Sequence, residues 1–251
     1  MSRAVGMTVT DSEIAECIRS LVACCHRLHA SGLVAGAEGN CSVRLRDGTL
    51  LVTASGVDKA TIGPRDILRL HADGTECHKG DATAVTGNTR SGDRTRSPSS
   101  ELEMHLGIYR ARADVMAVVH AHPPVATGFA TAGRSIPANV LPEVPVVLGP
   151  VALVPYGRPG TAALSDAMFP FLADHEVFLL ANHGVTAVGR TLPDATTRLE
   201  SVEQAARILL VAELLGGARV LPVREAQALA ALWRRPIADT YSGQHPTDAL
   251  S

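Results

Sequence analysis

Val118-Val119-His120-Ala121-His122-Pro123 places two histidines at positions i and i+2 at the end of a β-branched run. Side chains two residues apart on an extended chain leave on the same side, so both imidazoles can reach one point in space. A third histidine closes another apolar run in Leu179-Leu180-Ala181-Asn182-His183-Gly184. Three neutral imidazoles presented from strand ends, with one coordination position left open, hold catalytic zinc; imidazole ligands also suit iron, cobalt or manganese. A His-x-His pair alone is a short pattern. Partly buried histidines with ordinary hydrogen bonds produce it too.

Ser99-Ser100-Glu101 stands at the opening of a helical stretch. Serine caps and first-turn acids are favoured there by free N–H groups and the helix dipole, without any function. The same donors also bind an anion such as phosphate, with Glu101 facing a metal as an acid/base. Gly39-Asn40-Cys41-Ser42 and Thr53-Ala54-Ser55-Gly56 put glycines beside small hydroxyl and amide side chains at strand ends. That combination allows close backbone approach and neutral hydrogen bonds to a ligand, and turns use the same residues. A Walker-type phosphate loop, a dinucleotide fingerprint and a serine nucleophile elbow are all missing, which disfavours nucleotide and serine-hydrolase chemistry.

The elements that must position these groups alternate between helix and strand. Thr10 and Glu13 form a capping-box signature for a helix through about Ala30, with Ser31-Gly32 as its stop. Cys41–Arg46 and Leu50–Thr53 read as paired strands around an Asp47-Gly48 turn, and Ile67–His71 as another strand. Lys79 to Ser97 is polar and reads as a long exposed loop, either a lid or tolerated surface. A helix follows through about Arg112, then a buried strand at Val115–His120. Further strands are expected at Val144–Leu148, Val151–Pro155 and Val177–Leu180, and helices at about Ala162–Ala173, Pro193–Leu215 and Arg224–Arg234. The alternation argues for one mixed α/β domain over residues 10–235, with terminal tails at 1–9 and 236–251.

Hydrophobic residues make up 46% of the chain and charged residues 19%, enough apolar material for a sizeable core. The formal net charge of −2 gives no global pull toward nucleic acid or a membrane surface, so any anion site must be local. Five cysteines, with no Cys-x-x-Cys pair, suit buried free thiols in a reducing compartment. The first ten residues contain no apolar signal core, and no run of about 18 apolar residues occurs. The expectation is a soluble cytoplasmic protein.

Taken together, Gly39-Asn40-x-Ser42, Ser55-Gly56, Pro98-Ser99-Ser100-Glu101, His120-x-His122 and Asn182-His183-Gly184 resemble the class II aldolase/adducin family. The match runs in order over about residues 12–215, and the pattern is similar to that of its L-fuculose-phosphate aldolases. The resemblance implies a single-domain α/β/α sandwich around a mostly antiparallel central sheet. It implies that His120, His122 and His183 hold Zn2+ and that Glu101 is the catalytic acid/base, sitting on the metal in some members when substrate is absent. It further implies that Gly39, Asn40, Ser55, Gly56, Ser99 and Ser100 receive a substrate phosphate, and that the protein is a homotetramer with sites at subunit interfaces.

The activity expected from the resemblance is cleavage of a ketose 1-phosphate to dihydroxyacetone phosphate and an aldehyde through a metal-stabilised enediolate. A decarboxylase of a 3-keto sugar-acid phosphate needs the same motifs. A 4-epimerase is a weaker match, because family epimerases resemble Ser-Ser-Asp where this chain has Ser-Ser-Glu. A non-enzymatic adducin-like module would need no metal set. Two departures stand out: Leu141 occupies the place of a family tyrosine, and the Lys79–Ser97 segment exceeds that of short family members. Tyr241 lies in a tail that could order over a site or simply fray.

Overall fold

Thr10 begins the first helix with the reciprocal bonds that its sequence signature requires. Its hydroxyl accepts from the Glu13 N–H at 3.3 Å, and the Glu13 carboxylate accepts from the Thr10 N–H at 2.9 Å. Helix α1 (Asp11–Ala30) then buries Ile14, Ile18, Leu21, Cys25 and Leu28 along one face, at the 3.6-residue period. The structure, a computed structural model, describes residues 9–77 and 96–232.

Seven strands form one sheet: β1 (Asn40–Arg44), β2 (Leu50–Thr53), β3 (Ile67–Leu70), β4 (Ala117–Ala121), β5 (Val151–Val154), β6 (Val177–Leu180) and β7 (Gly184–Gly189), in the order β3-β2-β1-β4-β7-β6-β5. Every pairing is antiparallel except the parallel one between β5 and β6, so the sheet is mixed and mostly antiparallel. The remaining helices are α2 (Leu102–Ala111), α3 (Pro124–Thr131), α4 (Ala162–Leu172), α5 (Leu192–Leu214) and α6 (Val223–Ala230).

Alternation along the strands divides the core into two layers. Ala117, Val119 and Ala121 of β4 pack with Cys41, Leu51, Leu179 and Ala187 against the apolar faces of α1, α3 and α5. Val118 of the same strand packs with Val52, Phe178, Leu180 and Val188 against α2 and α4. Residues 40, 42 and 120 therefore share the α2 face by the period of two. The architecture is the α/β/α sandwich that the resemblance implied. Cys24, Cys25 and Cys41 are buried free thiols, Cys17 is a partly buried one, and Cys77 is partly buried.

One expected strand is corrected. Val144–Leu148 is a π-helical turn, not a strand. Pro145 cannot donate to a ladder, and the run is apolar because it packs beneath α5 and α6. Two elements had no expectation. β7 is buried on both faces and shows no alternation, and α3 is short, with Pro124 at its start and Gly128 inside it. The expected 79–97 loop falls largely outside the described residues, and Tyr241 falls outside them entirely.

Candidate active site

His120 and His122 emerge at the end of the central strand β4, and His183 emerges from the turn joining β6 to β7, two strands that lie side by side in the sheet. Asn182 adopts φ 55°, a left-handed conformation that asparagine tolerates better than most residues, and this turns His183 back over the strand ends. The next residue must be glycine for packing reasons. A Cβ at Gly184 would lie 2.5 Å from His122 Cδ2 and 2.7 Å from the Ala121 carbonyl.

The three rings converge, with centroids 4.7 to 5.3 Å apart. His120 is fully buried. Its Nδ1 lies 2.9 Å from the Val185 carbonyl, which can only accept, so Nδ1 carries a proton and Nε2 is the nitrogen turned toward the other two rings and Glu101. That Nε2 is 3.2 Å from His122 Nε2, while His122 Nδ1 faces Glu38 at 3.4 Å. Burial, reinforced by the neighbouring imidazoles, pulls His122 below its ordinary value and favours the neutral ring.

Glu101 is buried against this cluster from the helical side. It occupies the N-cap position of α2, but its carboxylate caps nothing. Its Oε2 lies 3.2 Å from His120 Nε2, and its Oε1 lies 2.8 Å from His183 Nε2. The second approach lacks hydrogen-bond geometry, so Oε1 is buried without a hydrogen-bond partner, as is His183 Nδ1. Burial alone would raise the carboxyl's pKa; the His120 and His183 rings outweigh it and hold the group well below the usual carboxylate range.

These atoms fit a divalent cation. One ligand nitrogen from each of the three histidines lies within 4.8 Å of the others, and a carboxylate touches two of the rings. A single divalent cation among these nitrogens and the carboxylate would satisfy all four groups at once. Neutral imidazoles with a carboxylate suit zinc and its first-row neighbours.

Above the histidines opens a cavity of about 360 Å³ whose walls include Gly39, Asn40, Ser55, Gly56, Ser99, Ser100, Glu101, His122 and His183. Each residue that the resemblance gave to the metal, the proton or the phosphate thus lines this cavity or, for His120, touches Glu101 and His122 beneath it. The β2 end is joined to the segment before α2 by the Ser55 N–H, which donates to the Ser97 carbonyl at 2.8 Å. Among the described residues, the cavity's lining includes two carboxylates, Glu38 and Glu101, and no lysine or arginine. Lys59 lies behind the wall. Nearly fully buried, it donates from Nζ to the Ala37 carbonyl at 3.1 Å and the Val57 carbonyl at 2.9 Å, tying the two glycine loops together.

Sequence reasoning missed the residues beneath the cavity. The resemblance assigns Asn40 only to the phosphate, yet its amide donates to Glu101 Oε2 at 2.8 Å and to Ser99 Oγ at 3.1 Å. Behind it stand His105, Ser42 and Tyr109, all buried. Their signal was present: Glu101, His105 and Tyr109 are spaced four apart on one helical face, and Asn40 and Ser42 alternate on β1. Such a stripe reads as core unless the partner strand is known. Leu141, at the place of the family tyrosine, packs partly buried on the layer of α1, α3 and α5.

One mixed sheet lies between helical layers, with three histidines and a glutamate gathered at its strand ends. The family model of the class II aldolase and adducin N-terminal domain matches residues 19–210, and the chain belongs to that family. It is 35% identical over 212 residues to the 5-deoxy-D-ribulose 1-phosphate aldolase of Bacillus thuringiensis serovar kurstaki, covering 84% of this chain and 92% of that protein. It is 33% identical over 184 residues to the 3-oxo-tetronate 4-phosphate decarboxylase of Escherichia coli, covering 72% and 79%. A solved L-fuculose 1-phosphate aldolase superposes with a TM-score of 0.73 at 29% identity, over 91% of this chain and 98% of that one. Among the described residues no helix is long and apolar enough to cross a membrane.

Proposed function

We propose that this chain is a metal-dependent aldolase that cleaves a ketose 1-phosphate to dihydroxyacetone phosphate and an aldehyde. The observation that carries the reading is the Glu101 carboxylate held against His120 and His183 at the floor of a cavity large enough for a sugar phosphate. His120, His122 and His183 hold the cation, and zinc is the ion that their chemistry favours. When bound, it supplies Lewis-acid stabilisation of the negative charge that develops as the carbon–carbon bond breaks.

Glu101 moves the proton. In cleavage it delivers one to the carbon that keeps the bonding electrons, and in the reverse direction it removes that proton from the donor. General acid–base help of this kind contributes about 10²–10⁴ in rate. Gly39, Ser55, Gly56, Ser99 and Ser100 receive the phosphate with hydroxyls and backbone N–H groups, and Asn40 reaches both this group and Glu101. A homotetramer places these sites at subunit boundaries. The exposure of Leu214 (79%), Leu215 (82%) and Val223 (70%) at the end of α5 and the start of α6 supports such contacts.

One observation favours the decarboxylase as a second reading. Aldol cleavage must take a proton from the hydroxyl of the departing aldehyde, and the cavity's described walls hold no tyrosine for that task. Loss of carbon dioxide from a 3-keto acid needs no such group and uses Glu101 unchanged. A panel of ketose 1-phosphates and 3-keto sugar-acid phosphates, each with and without its phosphate, decides between them. Release of dihydroxyacetone phosphate from the first set, largely lost in Glu101→Gln with metal retained, is the expected result. Turnover of the second set alone selects the decarboxylase, and near-wild-type turnover by Glu101→Gln rejects both.

A further inference from the structure

The polar groups beneath Glu101 form a chain whose direction can be deduced. Glu101 is a carboxylate and accepts only, so the Asn40 atom 2.8 Å from its Oε2 is the amide nitrogen. The other Asn40 atom is therefore the carbonyl oxygen Oδ1, and it lies 2.5 Å from His105 Nε2. An oxygen that only accepts requires a proton on that nitrogen. Burial pulls His105 down to about 3, so the ring is neutral and its Nδ1 is bare. Ser42 Oγ, 2.6 Å from Nδ1, must donate to it, and Tyr109 Oη, 2.8 Å from Ser42 Oγ, then donates to the serine. Burial raises the Tyr109 phenol, so its proton is available to donate.

Every link is buried and every donor is committed. Reversing one link would turn the Asn40 carbonyl onto the Glu101 carboxylate, so the directions hold together. The consequence falls on Glu101: Oε2 is pinned by Asn40, which sets the rotation of the carboxylate and turns Oε1 to His183 Nε2 at 2.8 Å.

We propose that His105 is a positioning residue for Glu101, acting through Asn40, in a hydrogen-bond chain that starts at Tyr109 and Ser42 and sets the orientation of the Glu101 carboxylate. This rests on the reading of Glu101 as the acid/base, and it adds the residues that orient it. His105 touches none of the cavity's histidines and meets its walls only through Asn40, so a purely structural role would show as lost stability alone.

Two measurements test it. In wild-type protein labelled with ¹⁵N-histidine, the His105 ring should show a protonated Nε2 and a bare Nδ1. The opposite tautomer or a doubly protonated ring overturns the proposal, and this readout needs neither activity nor a variant. In kinetics, His105→Leu should lower kcat by about 10–100-fold, the range for removing a supporting partner, with KM and metal content little changed. His105→Gln keeps an N–H near the position of Nε2 and should recover most of that loss. Combining His105→Leu with Glu101→Gln should cost no more than Glu101→Gln alone, because both act on one proton transfer. If Glu101→Gln is inactive but His105→Leu turns over like wild type, or the two losses multiply, the positioning role fails. If Glu101→Gln is itself active, the failure belongs to the acid/base reading.

Discussion

The floor and the mouth of the cavity are built by opposite means. At the floor, His120, Asn40 and Glu101 are buried, and each is held by partners on other elements: His120 by β7, Asn40 by α2, and Glu101 by β1, β4 and the turn after β6. At the mouth, Ser55, Gly56 and Ser100 are exposed and offer hydroxyls and backbone N–H groups from loops. A reaction shared by several sugar phosphates needs a fixed proton and charge geometry, which a buried network supplies. Recognition of different tails needs only adaptable neutral donors. The relatives that this chain resembles carry different substrate names.

The sharpest way to break this contrast is to disturb the floor by volume alone. Gly184→Ala adds no charge and removes no ligand, yet its methyl would meet His122 at 2.5 Å and backbone at 2.7 Å. Metal affinity is expected to fall at least about 10-fold, with activity falling in step and partly restored by excess metal. Titration against a competing chelator reads this directly, and unchanged affinity would show that His122 is not held by packing.

The mouth should respond more gently. Ser55→Ala and Ser100→Ala each remove one exposed hydroxyl, worth about 0.5–1.5 kcal/mol. KM should rise by roughly 3- to 10-fold with kcat nearly unchanged. A fall in kcat with KM constant would move these serines from recognition into the chemistry. The smallest effect concerns pH. His105 stays neutral in the folded chain down to about 3, against 6.5 ordinarily, so below about pH 6.5 the unfolded chain binds a proton first. Its contribution is whole above that value and declines as pH falls toward 3. His105→Gln removes this site, so its melting temperature should drop less between pH 7 and pH 5 than that of wild type. An identical slope would mean that the ring is not buried neutral.

Much of this was legible in the residues. The two-residue spacing of His120 and His122, the glycine after His183 and the capping box at Thr10 each follow from local geometry. What escaped notice depends on pairing across the chain. β7 is buried on both faces and carries no alternation, and α3 starts on consecutive prolines. His105 and Tyr109 look like core until β1 brings Asn40 and Ser42 opposite them. Val144–Leu148 has the composition of a strand, and only Pro145 and its place under α5 argue against one.

The most direct test of the central claim is anomalous diffraction from crystals grown with zinc. The account predicts one strong peak per chain among the ring nitrogens of His120, His122 and His183, next to Glu101, and no such peak in His120→Ala. A peak elsewhere, or none at saturating zinc, would contradict it.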